Sequence, residues 1–240
     1  MRATNPGTLA MVWLMMALPW AGSVNGGTAK PAGGAYQPHV DPADFQATVD
    51  NPYFPLVPGT TYKFVEKPGR KTSENEVTVT HDTKVIMGVT CVVVHDQETH
   101  KGVVREETLD WYAQDREGNV WYFGEATKEF RAHGKVSTGG SWEAGVDGAQ
   151  PGIIMQARPA AGEPYRQEYY KGEAEDMGQV VAVNDSVTVP CGTFTGCVRT
   201  REWSMLESGT ERKWYAKGVG VVRTESSTKE VWTLVSVTRP

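Results

Sequence analysis

Four carboxylates fall close together at Glu168, Glu173, Glu175 and Asp176, beside Gly172 and the pair Tyr169-Tyr170. Several hard oxygens on a flexible loop are what Ca²⁺ takes as ligands, so Glu173, Glu175 and Asp176 are the candidate metal set. Their spacing is not that of an EF-hand loop, and a solvated acidic loop between strands is the plainer alternative. A second set lies in the run from Glu106 to Gln114. As a strand it places Glu106, Thr108, Asp110, Tyr112 and Gln114 on one face, with Glu107, Leu109, Trp111 and Ala113 on the other. Such a row could line a cleft with Glu168 opposite, and two acids about 5–10 Å apart can cleave a glycan when one keeps its proton. More often a polar row of this kind faces water.

The five histidines, His39, His81, His95, His100 and His133, include a His39-x-Asp41 pair but no H-x-H or H-E-x-x-H spacing. Each reads most simply as a surface or strand-edge residue. No nucleophile or phosphate loop is framed: G-x-S-x-G, G-x-x-x-x-G-K-[ST] and G-x-G-x-x-G are all missing. Tryptophan is the remaining signal. Trp111, Trp121, Trp142, Trp203, Trp214 and Trp232 are many for a domain of this size, and most belong in a core. Trp142, in a Gly-rich stretch with Glu143 and Asp147, is the one expected to be exposed and to stack on a ligand.

These groups must be positioned by a mostly β scaffold. Met1 to about Ser23 reads as a secretory signal peptide, with Arg2 its only charge, an apolar run from Leu9 to Trp20, and Ala21-Gly22-Ser23 at the cleavage site. That run is too short for a permanent membrane span, and no later run reaches 18 apolar residues. The expected location is therefore secreted or periplasmic. The whole chain carries a net charge of −5, with its Lys and Arg scattered, which argues against a nucleic-acid surface. In an oxidising compartment three cysteines allow one disulfide. Cys191–Cys197, across Gly192 to Gly196, is the favoured pair, and Cys91 with either of them is the rival.

Residues 24–50 read as a flexible lead-in with a possible short helix from Asp41-Pro42, where an N-cap residue precedes Pro. Asn51 to Gly59, with prolines at 52, 55 and 58, is an extended segment whose aromatics would close one end of a core. From Thr60 onward period-2 alternation dominates, giving a single all-β domain over 51–240. About eleven antiparallel strands are expected, in a sandwich or an incompletely closed barrel. The pattern also repeats. Trp111-Tyr112-Ala113 returns as Trp214-Tyr215-Ala216, each preceded by a Cys-Val strand at Cys91 or Cys197, which points to an internal duplication.

Asp110 to Asp115, Gly118 to Glu125, Ser141 to Gly148 and Gln167 to Asp176 together resemble a group of exported bacterial all-β proteins without an assigned function, over nearly all of the chain that follows the leader. The closing Trp214-Tyr215-Ala216-Lys217-Gly218-Val219-Gly220-Val221-Val222 is similar to a signature found in exported β-proteins, some resembling half-open lipoprotein-type barrels. The resemblance implies export and an all-β fold, and it carries no mechanism.

The expectation is a non-enzymatic exported protein that binds a small molecule, lipid or glycan fragment of amphiphilic character in an aromatic-lined concavity. Trp142, Asp110, Tyr112, Glu168 and Tyr170 are its candidate contacts. No cofactor is expected apart from the possible calcium. A polysaccharide hydrolase or lyase using paired carboxylates is the second reading, and a structural envelope protein the third.

Overall fold

The computed structural model describes residues 36–66 and 73–240. The expected leader and the first part of the lead-in lie outside them. From Tyr36 on, the lead-in is packed against the barrel rather than loose. The Tyr36 hydroxyl donates to the Pro151 carbonyl at 3.1 Å. One 3₁₀ turn spans Pro42–Asp44, with the Asp41 side chain accepting from the Ala43 N–H, so the expected short helix is a single turn.

Sixteen strands follow in chain order. β1 (Phe45–Gln46) precedes a first meander of β2 (Thr61–Glu66), β3 (Ser73–Ile86), β4 (Val89–His100), β5 (Val103–Asp115) and β6 (Val120–Arg131). Between the meanders lie β7 (Lys135–Ser137), β8 (Trp142–Glu143), β9 (Gln150–Met155), β10 (Tyr165–Arg166) and β11 (Glu168–Tyr169). The second meander is β12 (Asp176–Val189), β13 (Gly192–Ser204), β14 (Glu211–Ala216), β15 (Gly220–Ser226) and β16 (Val231–Thr238). Eleven of these strands have six or more residues and five have two or three, so the excess over expectation lies in very short strands. One difference is β9, because the Gly-rich stretch from Thr138 to Gly152 reads as loop while the structure carries Pro151-Gly152 within a strand. No helix among the described residues is long and apolar enough to cross a membrane.

The strands form one antiparallel sheet in the order β10-β12-β13-β14-β15-β16-β2-β3-β4-β5-β6-β9-β11. β16 pairing with β2 joins the two meanders. The outer edges are drawn together by one short stretch, since β10 pairs with β12, β11 pairs with β9, and only Gln167 separates β10 from β11. The result is a nearly closed barrel. At Gly152 a Cβ would lie 2.4 Å from the Gln167 carbonyl carbon, so only glycine lets β9 come this close to the closing stretch.

The duplication is visible in the strand register. β5 slips against β6 between Trp111 and Tyr112, and β14 slips against β15 between Trp214 and Tyr215. The extra residue lies on the partner strand both times, Phe123 in β6 and Val222 in β15, and ordinary strand alternation sends the adjacent Trp and Tyr to opposite faces. Each Trp points outward beneath a cation, Lys84 Nζ 3.3 Å from the Trp111 ring centroid and Arg199 and Arg223 flanking Trp214. Each Tyr points inward and is fully buried. Phe54, from the Pro-rich 51–59 segment, packs on both, with ring centroids 5.3 Å from Tyr112 and 6.4 Å from Tyr215. That segment closes one end of the barrel, as its composition implies.

Candidate functional site

The polar row of β5 faces the barrel interior. Glu106, Thr108, Asp110, Tyr112 and Gln114 are all buried, whereas Leu109 on the other face is 41% exposed. Neighbouring strands extend the row sideways through register. Asp110 stands opposite Val94 of β4 and Glu125 of β6, Thr108 opposite Asp96 and Thr127, and Glu106 opposite Glu98 and Glu129. Glu168 of β11, 2% exposed, completes the group from the closing stretch and lies within electrostatic reach of Glu125 and Asp110. The strand periodicity therefore puts at least five acids, Asp96, Glu106, Asp110, Glu125 and Glu168, into one low-dielectric space.

Burial and mutual repulsion keep these carboxyls protonated far above their ordinary range. Desolvation, with the Glu129 and Asp110 charges added, raises Glu106 to about 7. Desolvation raises Asp110 to about 7, against the Tyr122 hydroxyl, which donates to it at 2.7 Å and favours the anion. Asp96, Glu125 and Glu168 are all pushed well above the carboxylate range, first by desolvation and then by neighbouring acids. The Trp142 indole N–H faces Glu168 and holds back part of that rise without completing a hydrogen bond of good geometry.

Beneath the 51–59 segment lies a cavity of about 50 Å³. Phe54, Leu56, Val77, Val94, Tyr112 and Val221 form its apolar wall, and Asp96 and Asp110 its polar end. Asp96 accepts from Asn75 Nδ2 through Oδ1 at 2.7 Å, while Asp96 Oδ2 and Asn75 Oδ1 are buried without a hydrogen-bond partner. Such orphaned acceptors are uncommon and call for a donor. A wider surface hollow of about 660 Å³ lies between the β5–β6 turn and the end of β9, but Arg116, Glu117 and Arg158 there are exposed and meet solvent directly.

Several expected site residues stand elsewhere. Trp142 is 5% exposed rather than open to solvent. As part of β8 it pairs with β6 and packs edge-on against Tyr122 at 5.4 Å. Gly124 makes this possible, because a Cβ there would lie 2.3 Å from the Trp142 carbonyl oxygen. Tyr170 is half-buried outside the cavity lining, at the start of a tight turn in which its carbonyl accepts from Glu173 and Ala174. The calcium set does not converge. Glu173 is exposed, Glu175 pairs with Arg166 and accepts from the Gly172 N–H, and Asp176 turns toward Ser204 and Lys213. Among the described residues the one trio of His, Cys or acid ligands within metal-binding distance is His39, Asp41 and Asp44, all exposed.

The expected disulfide is also corrected: all three cysteines are free thiols. The turn between β12 and β13 is tight, with Val189 opposite Gly192, so Cys191 sits at its tip. Cys197 lies further along the same strand, opposite Asp185. Two residues on one extended arm are far beyond disulfide reach. Burial pushes the Cys91 thiol up to about 12. In native protein one thiol, Cys191, is therefore expected to react with Ellman's reagent, and all three after unfolding. One reactive thiol rather than three after unfolding would show a bond.

Of this interior group, sequence reasoning named Asp110, Tyr112 and Glu168 and passed over Asp96, Glu125 and Asn75. The available signal was a row of alternating residues running from Val92 and Val94 to Asp96 and Glu98, apolar then acidic on one face.

Residues 170–239 match the DUF3108-like family. The match covers the second meander. Among solved structures, an exported-protein candidate with YmcC-like fold from Bacteroides fragilis NCTC 9343 is similar at a TM-score of 0.46 and 17% identity, over 78% of this chain and 99% of that one. A lipoprotein candidate from Parabacteroides distasonis ATCC 8503 is similar at a TM-score of 0.44 and 14% identity, over 78% and 98%. No curated protein matches the chain significantly.

Proposed function

We propose that this is an exported, non-enzymatic binding protein whose barrel takes the polar end of a small amphiphile in the cavity beneath residues 51–59. The observation that carries the reading is an apolar wall ending on two buried acids, Asp96 and Asp110, with Asp96 Oδ2 unsatisfied. A pocket of this make-up gains affinity from its walls and selectivity from its few polar atoms. Drug-sized sites run to about 300–1,000 Å³, so a cavity of about 50 Å³ admits a head group, with the tail leaving past the half-buried Pro55 and Val219. Export is supported by the composition of the first 23 residues. A polymer-cleaving role is less well served, because Glu168 lies buried outside the cavity lining and Asp110 is reached only through a cavity of about 50 Å³, too narrow for a glycan chain.

Native mass spectrometry of protein purified from its own host is the test. A discrete added mass that disappears on denaturation is the expected result. Bare chain mass under both conditions, at several purification strengths, would overturn the binding role.

A further inference from the structure

We infer that the polar end of the ligand is a primary ammonium group, seated between Asp96 and Asp110, with the Asn75 amide holding Asp96 from outside the cavity lining. This rests on the binding role above and gives its ligand a chemical class. The argument comes from comparing the two repeats. Asp110 and Lys213 are the residues just before the repeated Trp, and they face equivalent positions, Val94 in β4 and Thr200 in β13. Two residues beyond those positions stand Asp96 in the first repeat and Glu202 in the second. The second repeat is balanced from within the chain: Lys213 Nζ lies 2.7 Å from Glu202 and 3.7 Å from Glu211. The first repeat keeps the acid, but Asp110 occupies the place of the lysine.

Nothing in the cavity lining supplies the missing positive charge, since no Lys or Arg is part of it. The groups acting on Asp96 are Asp110, Glu106, Glu98 and the Asn75 amide. The hydrogen-bonding vacancy has the same sign. Asn75 donates to Asp96 through Nδ2, which leaves its Oδ1 as an acceptor, and Asp96 Oδ2 becomes a second one when a bound cation draws the carboxyl into its ionised form. An ammonium offers three donors and no acceptor, whereas a hydroxyl offers one donor and a carboxylate none. A metal ion is a poorer match, because no three of these acids come within 4.8 Å of one another in the way the His39, Asp41 and Asp44 ligand atoms do. The volume of about 50 Å³ suits an aminomethyl group, a water molecule's share of liquid being about 30 Å³. Val77, Val94, Leu56 and Val221 would then flank the first methylenes of its tail.

The test is calorimetric titration at pH 8 with n-hexylamine, 1-hexanol and hexanoate as probes. Hexylamine is expected to bind at least about tenfold more tightly than hexanol, with hexanoate weakest, as charge-assisted bonds in a dry site imply. Asp96→Asn should weaken hexylamine about tenfold and leave hexanol nearly unchanged. Asp110→Lys should abolish hexylamine binding by placing the chain's own ammonium in the seat. If that variant does not fold, Asp96→Asn decides alone. Equal affinity for amine and alcohol overturns the ammonium assignment and leaves the binding role standing. Competition by millimolar Ca²⁺ with loss of amine selectivity overturns it in favour of a metal. No binding of any probe defeats both.

Discussion

Moving the ligand-free protein from pH 5 to pH 8 is expected to lower its stability by several kcal/mol, the reverse of ordinary acid denaturation. The interior acids decide the sign. Glu106 and Asp110 rise to about 7 on folding, and Asp96, Glu125 and Glu168 rise well above their ordinary values. Unfolded carboxyls titrate near pH 4, so between about 4 and 7 the native chain binds protons that the unfolded chain has lost. Stability must then fall as pH rises through that window. The contribution is fully present below the unfolded values and is lost as pH climbs through the folded ones. For Asp110 and Glu106 the loss is on the order of 3 kcal/mol each, one unit being about 1.4 kcal/mol. Lys213 does not oppose the trend, because its folded value is raised above an already high one and it stays charged throughout. Urea denaturation midpoints at pH 5, 6, 7 and 8 are the measurement, with Asp110→Asn expected to flatten the slope. Stability that is level or rising up to pH 8 would show that the interior acids are ionised at little cost.

The class of fold was legible because period-2 alternation needs no partner to be read. Val231 to Val237 shows it outright, and the doubled Trp-Tyr-Ala run marked the two meanders before any register was known. What alternation leaves open is which face is inside. Glu106, Thr108 and Asp110 look like a wetted face, with Leu109 and Trp111 the buried one. In the barrel the polar face is enclosed and Leu109 lies in solvent, because this row curves around an interior that is itself polar. A second failure has a local cause. Gly139, Gly140, Gly145, Gly148 and Gly152 make the 138–152 stretch read as loop, yet Gly152 is there so that strands can press together, as Gly124 is on the facing strand β6. Trp142 was drawn to the surface by that misreading. Cys191 and Cys197 were misjudged on the assumption that the hairpin turn lies between them, when the turn is at Cys191 itself.

Replacing Lys213 with methionine is expected to destabilise the protein by about 3–5 kcal/mol at pH 7, the range for removing one partner of a buried ion pair. Lys213 is 2% exposed, and its Nζ is held by Glu202 at 2.7 Å with Glu211 beyond. Methionine keeps the volume and the unbranched stem, so packing loss is small and the effect isolates the charge. What remains is a buried carboxylate that accepts from Tyr215 at 2.9 Å and Thr200 at 2.7 Å but has lost its counter-charge. Only those two hydroxyl donors then offset its desolvation. Adding Glu202→Gln should recover a large part of the loss, because the amide oxygen can still accept from the two hydroxyls and only the more distant, more exposed Glu211 keeps an unpaired carboxyl. Denaturant titration of the single and double variants gives the coupling directly. Additive losses would mean that Lys213 holds this end of the barrel by packing alone. A strong positive coupling would mean that the second repeat needs its cation against Glu202, the charge that Asp110, in the lysine's place, does not supply in the first.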